Sequence, residues 1–200
     1  MKILIGTSNP GKLREYQALL SGLNLTFVGL RDVDAGAEVP EPYETFTENA
    51  EHKAREYALR TGMFTLTDDS GLVVDALGGR PGVYSARYAP GTDADRYTKL
   101  LGELVGVPEE GRTARFVCAA ALAALDGTLI EMKVGTVEGK IAFAPGEGSN
   151  GFGFDPVFIP NGFNVTLNAL TMDEKNAIDH RGNALRQLIP TLRQMTENAG

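Results

Sequence analysis

Two adjacent aspartates in the run Asp68-Asp69-Ser70-Gly71 stand between the apolar segments 64–67 and 72–77. Burying an unpaired charge is costly, so carboxylates in such a setting call for a cationic partner or a metal. In a strand, neighbouring side chains point to opposite faces, which gives Asp68 and Asp69 different tasks. One of them can ligate magnesium, a hard cation that prefers carboxylate oxygens and keeps several waters. A metal-bound or carboxylate-activated water can then attack phosphorus. The same four residues also fit an Asx-rich turn at a strand end, which Gly71 would allow.

A second group is Thr7-Ser8-Asn9-Pro10-Gly11-Lys12. It leaves an apolar run and enters a helical pattern, so free backbone N–H groups and the positive helix end are expected to grip phosphate oxygens. Lys12 adds a mobile charge, and Thr7, Ser8 and Asn9 add hydrogen-bond donors. The Walker A spacing is absent. A well-capped helix after an ordinary turn is the competing reading.

The run Asn150-Gly151-Phe152-Gly153-Phe154-Asp155-Pro156 sets glycines beside two aromatic rings. Backbone can approach a flat ring there while Phe152 or Phe154 stacks on it, and Asp155 can orient the loop or the base. Core packing with a glycine bend serves equally well for either ring alone. Further on, Asp173-Glu174-Lys175-Asn176 precedes His180-Arg181-Gly182. His180 and Arg181 can hydrogen-bond a base edge and Lys175 can lie over base or phosphate. A solvated lysine and a structural histidine are the plainer alternatives. With 2 histidines in the chain, a histidine-rich zinc site is not expected.

The elements that must hold these groups alternate between strand and helix. Residues 2–6 read as a buried strand, 12–20 as a helix and 25–30 as a second strand, the opening unit of an α/β fold. Residues 32–43 form a long connection, and Thr47 is placed as the cap of a helix over 48–59, with Ala50, Ala54, Tyr57 and Ala58 packing inward. A helix is expected over 92–105. Asp126-Gly127 between residues 114–125 and 128–138 signals a hairpin, although the first run is alanine-rich enough for a helix. A short strand at 155–160 and helices at 173–176 and 180–192 close the chain. The expected architecture is a mixed-sheet α/β protein with helices on its faces and the middle hairpins as a second lobe. Order is expected everywhere except the last few residues, beyond Leu192.

The 200 residues, 42% hydrophobic and 22% charged, suit a soluble globular protein with a sizeable core. A net charge of -7 argues against non-specific adhesion to nucleic acid or anionic membrane, but not against a small phosphorylated ligand held by local lysines and a metal. Cys118 is the single cysteine, so no intrachain disulfide forms, and it reads as a small buried hydrophobe. The first apolar run is too short for a signal peptide or a membrane span, which points to the cytoplasm.

Taken together, these runs resemble the inosine triphosphate pyrophosphatase family, also called the Ham1 or RdgB family. The resemblance rests on residues 7–12 with Glu15, Thr45-Phe46-Thr47-Glu48-Asn49-Ala50 with Lys53-Ala54, and Asp68-Asp69-Ser70-Gly71-Leu72. It continues through residues 79–88, the run Gly151-Phe152-Gly153-Phe154-Asp155-Pro156, and His180-Arg181-Gly182 with Ala184-Leu185. It implies a single domain, an elongated mixed β-sheet with flanking helices forming two lobes around a central cleft, and a homodimer. It also implies magnesium-dependent hydrolysis of ITP, dITP and XTP to the monophosphate and pyrophosphate, which clears deaminated purines. By resemblance, Thr7, Ser8, Asn9, Pro10, Gly11 and Lys12 hold phosphates, Lys53 faces them and Ser70 contacts substrate. Asp69 is the catalytic acceptor and a metal ligand, supported by Asp68. Phe152, Gly153, Phe154, Asp155, Lys175, His180 and Arg181 form the base pocket. Glu41 or Glu44 matches the family's second metal ligand, Glu41 by register. Asp179 stands where serine is common.

Overall fold

Alternation of side chains decides how this chain folds, most plainly in the alanine-rich run that sequence alone left between helix and strand. That run is a strand, β4 (Thr113–Ala123). Cys118, Ala120 and Leu122 enter one buried cluster, while Ala119, Ala121 and Ala123 enter another with Ala50, Ala54 and Ala58. A strand covered on both faces needs apolar residues at every position, and alanine lets a helix approach closely.

The computed structural model describes residues 1–197, so the final three, where loss of order was expected, lie outside the described residues. The remaining strands are β1 (Lys2–Ile5), β2 (Thr26–Gly29), β3 (Phe64–Val74), β5 (Leu129–Ile141) and β6 (Phe158–Pro160). The helices are α1 (Pro10–Leu20), α2 (Phe46–Thr61), α3 (Asp93–Glu103), α4 (Met172–Ile178) and α5 (His180–Glu197). The chain divides into two units. The first comprises Met1–Asp69, Cys118–Gly135 and the chain from Arg181 onward; the second comprises Ser70–Val117 and Thr136–His180.

In the first unit the strand order is β2-β1-β3-β4-β5. β1 pairs in parallel with β2 (Ile3↔Phe27) and with β3 (Ile3↔Phe64). Ile3 and Ile5 join Tyr16, Leu20, Leu66, Leu185 and Leu188 in one core, whereas Leu4 packs with Val39 and Tyr57 in another. In the second unit the order is β3-β4-β5-β6, with β5 and β6 antiparallel (Ile141↔Phe158). Leu72, Leu100, Phe116, Phe154 and Phe158 form its core. The sheet is therefore mixed, as expected.

Three local expectations need correction, the first being the strand expected over 155–160, where Asp155–Val157 is a 3-10 turn and Phe158–Pro160 alone is strand. The cap of α2 is Thr45, not Thr47: its Oγ1 accepts from the Glu48 amide at 3.2 Å and donates to Glu48 Oε2 at 2.5 Å. Glu48 thus supplies the capping acid that a start at Thr47 would lack. The run Asp68-Asp69-Ser70-Gly71 is not a turn between two strands but the middle of β3.

Gly139 shows how tightly β5 meets β6. A methyl group there would overlap the Ile159 carbonyl and come within 2.6 Å of the Phe158 ring. Gly139→Ala is expected to lower stability by about 1–3 kcal/mol, the usual cost of overpacking, read as a lower urea midpoint at unchanged m.

Candidate functional site

β3 sorts its two aspartates by the face each one meets. Leu66 lies in the core that contains Tyr16 and Leu185, so Asp68, two residues on, points to the same face. Thr67 bonds the Ala50 carbonyl of α2 at 2.7 Å, and Asp69, again two residues on, faces α2 as well.

Asp68 is fully enclosed by partners. Its Oδ2 receives Lys12 Nζ at 2.8 Å and Arg181 at 3.1 Å, and its Oδ1 receives the Tyr16 hydroxyl at 3.2 Å. Cys118 Sγ lies 3.8 Å from Oδ2. Burial alone would raise this carboxyl's pKa, but the charges of Lys12, Arg181 and Lys53 outweigh it and hold the group well below the usual range. Arg181 also pairs with the buried Glu15. Lys12 and Tyr16, one helical turn apart on α1, thus reach a single carboxylate.

Asp69 has the opposite environment. Asn49 donates to its Oδ2 at 2.9 Å. Burial, then the charge of Glu41, push its pKa up to about 6, while Lys53, Lys12 and the Asn49 bond pull the other way. Lys53 donates to Glu41 and, at 2.6 Å, to the Asp68 carbonyl. Burial would lower the Lys53 pKa, but Glu41, Asp68 and Asp69 raise it. Of the two candidate glutamates, Glu41 therefore stands in this cluster and Glu44 is exposed.

Among the described residues, no group of three or more His, Cys, Asp or Glu side chains forms a metal-holding set. Two carboxylates in mutual repulsion nevertheless fit a hard divalent cation, which leaves its other positions to water and phosphate oxygens.

The loop over residues 7–12 departs from expectation. Asn9 caps α1, its Oδ1 accepting from the amides of Gly11 (2.8 Å) and Lys12 (3.3 Å), while the Leu13 amide bonds the Asn9 carbonyl. Pro10 has no N–H, so the first helical turn already uses its own donors. The Asn9 amide bonds Thr7 Oγ1 at 3.2 Å, and Ser8 Oγ donates to Glu38 at 2.8 Å. The Lys12 ammonium and the Thr7 and Ser8 hydroxyls, rather than helix-end amides, are the groups this loop can turn to an anion.

The second unit holds the other candidates. Lys175 and Asp155, both buried, pair at 2.7 Å, and Asp155 Oδ2 also accepts the Phe152 amide at 2.8 Å. Lys175 Nζ lies 4.8 Å from the Phe152 ring centroid, within cation–π range. Gly151 has a φ of +84, and a Cβ there would collide with Asp155, so this turn requires glycine. His180 stacks on Phe116 with centroids 4.9 Å apart. Ser70, in β3 directly after Asp69, belongs to this unit.

Two expected base contacts have other settings. Phe154 is a core residue, 3% exposed and edge-on to Tyr88, which leaves Phe152 as the ring of the pair able to stack. Arg181 is committed to Glu15 and Asp68, because a buried guanidinium goes where carboxylates can meet it.

Asn49, Tyr16 and Glu15 were not singled out as site residues from sequence. The signal available was helical spacing: Asn49 and Lys53, four apart, form a polar stripe beside buried Ala50 and Ala54. A surface hollow of ≈ 320 Å³ lined by Tyr43, Glu48, Glu51, His52 and Arg55 contains none of the expected site residues.

The Ham1 family model matches residues 3–191. A protein of Exiguobacterium sibiricum named dITP/XTP pyrophosphatase is 48% identical over 190 residues, 94% of this chain and 95% of its own length. One of the same name from Symbiobacterium thermophilum is 44% identical, over 98% of this chain and 97% of its own. Among solved structures, a HAM1 protein from Coxiella burnetii superposes with a TM-score of 0.87 at 40% identity, over 97% of this chain and 99% of its own.

Proposed function

The chain belongs to the Ham1 family, and from that membership and the two residue clusters we propose that it hydrolyses deaminated purine nucleoside triphosphates to monophosphate and pyrophosphate. The observation that carries the reaction class is the cluster in which Lys53 bonds Glu41 and the Asp68 carbonyl, Asn49 holds Asp69, and Lys12 meets Asp68.

Asp69 and Glu41 would hold magnesium, which supplies charge neutralisation on the triphosphate oxygens when bound. Asp69, ionised above about pH 6, accepts the proton of the water that attacks the α-phosphorus. The Lys12 and Lys53 ammoniums stabilise negative charge on the leaving pyrophosphate, with the Thr7 and Ser8 hydroxyls as further donors. Asn9, Pro10 and Gly11 shape the turn that presents Lys12. Asp68 keeps a fixed negative charge that anchors Lys12.

Phe152 stacks on the base, and Lys175, held by Asp155, offers its ammonium donors to the 6-keto oxygen, with His180 as a second donor. An adenine amino group would meet donors with a donor and leave both unpaired, which disfavours ATP. Gly153 lets the loop approach the ring, and Ser70 contacts the substrate. One domain carries the whole reaction, and we place it in the cytoplasm as a homodimer, where the nucleotide pool is. No helix among the described residues is long and apolar enough to cross a membrane.

The test is one panel of ITP, dITP, XTP, GTP, ATP and dUTP with magnesium, scored for pyrophosphate. ITP, dITP and XTP are expected to release pyrophosphate at least a hundredfold faster than ATP, on the order of discrimination that unpaired buried polar groups provide. Stepwise release of orthophosphate would refute attack at the α-phosphorus. Turnover of dUTP but not of ITP or XTP would overturn the base assignment.

A further inference from the structure

We propose that Asp93, at the start of α3, is a positioning residue for the loop over residues 151–155 and thereby tunes discrimination between bases. The proposal deepens the reading of that loop as the base contact and rests on it.

Asp93 is spare as a helix cap. Thr92 caps α3 and completes a capping box with Asp95: Asp95 Oδ2 accepts the Thr92 amide at 2.7 Å, and the Asp95 amide bonds Thr92 Oγ1 at 3.4 Å. The Asp93 carboxylate instead splits its oxygens between two jobs. Oδ1 pairs with Arg96, one turn along the same helix, and Arg96 in turn reaches the Gly91 carbonyl at 3.3 Å. Oδ2 accepts the Gly153 amide at 2.7 Å, a bond between residues 60 apart in sequence. A negative charge in the first turn of a helix is favoured, so this anchor is stable where it stands.

The consequence lies in the loop. Two consecutive amides, Phe152 and Gly153, are each fixed by a carboxylate, the first by Asp155 and the second by Asp93. The peptide carrying the Phe152 ring is therefore pinned at both ends. Asp155 is itself part of the buried pair with Lys175, so the first anchor belongs to the base cluster, while the second comes from a separate element. Gly153, at a φ of +64, has no side chain with which to fix itself. Without Asp93 the Gly153 amide loses its carboxylate partner, and the Phe152 ring is freer to swing away from Lys175. Geometry this close to a reacting substrate is sensitive to displacements of about 1 Å.

The experiment compares Asp93→Ala and Asp93→Asn with the wild type by three measurements. In Asp93→Ala the KM for ITP is expected to rise about tenfold, with kcat within about threefold and a reduced preference for ITP over ATP. Inhibition by tripolyphosphate, which has no base, stays at the wild-type constant. Hydrogen–deuterium exchange at the Gly153 amide, followed by NMR, quickens by roughly tenfold or more. Asp93→Asn keeps an oxygen that accepts the same N–H and is expected to recover a KM within about threefold of wild type.

Wild-type KM, base preference and Gly153 exchange in Asp93→Ala would overturn the proposal. So would equal losses in both variants accompanied by weaker tripolyphosphate binding and a lower melting temperature, which mark a purely structural role. If the wild type itself releases no pyrophosphate from any purine triphosphate, the functional reading fails and the claim on base discrimination falls with it. Gly153 exchange then still decides whether Asp93 fixes the loop.

Discussion

Asp69→Asn is expected to lower turnover by roughly a thousandfold while making the metal-free protein more stable at pH 8. The two effects share one cause. Burial and the neighbouring Glu41 carboxylate raise the Asp69 pKa from an ordinary 3.8 to about 6, so the folded protein resists ionising the group that the proposed mechanism uses ionised. Between about pH 4 and pH 6 the folded state binds more protons than the unfolded one, and stability falls as pH rises through that window. Above pH 6 the cost is present in full, at most roughly 3 kcal/mol. Asparagine removes the charge and still accepts from Asn49. Urea denaturation in a chelator should therefore show the variant more stable at pH 8 and level with wild type near pH 4. Magnesium held at the proposed Asp69–Glu41 site would relieve the same repulsion in the wild type, so adding it should narrow the gap at pH 8. In turnover, the acid limb of the pH profile should lie near pH 6 at limiting magnesium and move lower as magnesium rises. Full activity in folded Asp69→Asn would remove Asp69 from the mechanism, and equal stability at pH 8 would remove the repulsion argument.

Arg181→Met should have the largest effect on folding, a loss of about 3–5 kcal/mol at neutral pH. Its guanidinium sits at 1% exposure between Glu15 and Asp68, themselves at 1% and 0%. Methionine keeps much of the length and fits apolar surroundings, so what is lost is charge rather than volume. The pH dependence follows from Asp68, whose pKa is depressed. Its contribution is complete above the unfolded value of about 4 and disappears as pH falls through the folded value below it. The stability gap between wild type and variant should be full from pH 6 to 8 and shrink below pH 4. A gap under about 1 kcal/mol at pH 7 would show that the cluster holds together without the arginine. Lysine is a poor substitute, since one ammonium cannot present the planar fork that meets two carboxylates.

These effects also show what the sequence made legible. Alternation along an expected strand separated Asp68 from Asp69, and their surroundings bear that separation out to the level of opposite pKa shifts. The opening strand–helix–strand unit and the Asp126-Gly127 hairpin were readable because turn residues and periodicity are local properties. The continuity of β3 through four polar residues was not readable, because it depends on partners far along the chain: Lys12, Asn49 and Arg181 satisfy groups that local chemistry would assign to a turn. Asn9 shows the reverse limit. Its position before Pro10 and Gly11 suits phosphate binding and helix capping alike, and only the bonds to Gly11 and Lys12 show that its side chain caps the helix. Phe152 and Phe154 are the same residue type two positions apart, and the core of the second unit takes only one of them.

Cys118 adds a practical consequence. Its thiol is wholly enclosed in the core that contains Tyr16 and Leu66, against Asp68, and it is the chain's single cysteine. A thiol-specific reagent can reach it only when that core opens, so the labelling rate in native buffer acts as a built-in clock for local opening, with one signal and no background. Any ligand that tightens the Asp68–Lys12–Arg181 assembly should slow the clock, which lets nucleotide binding be followed without turnover and without an added probe.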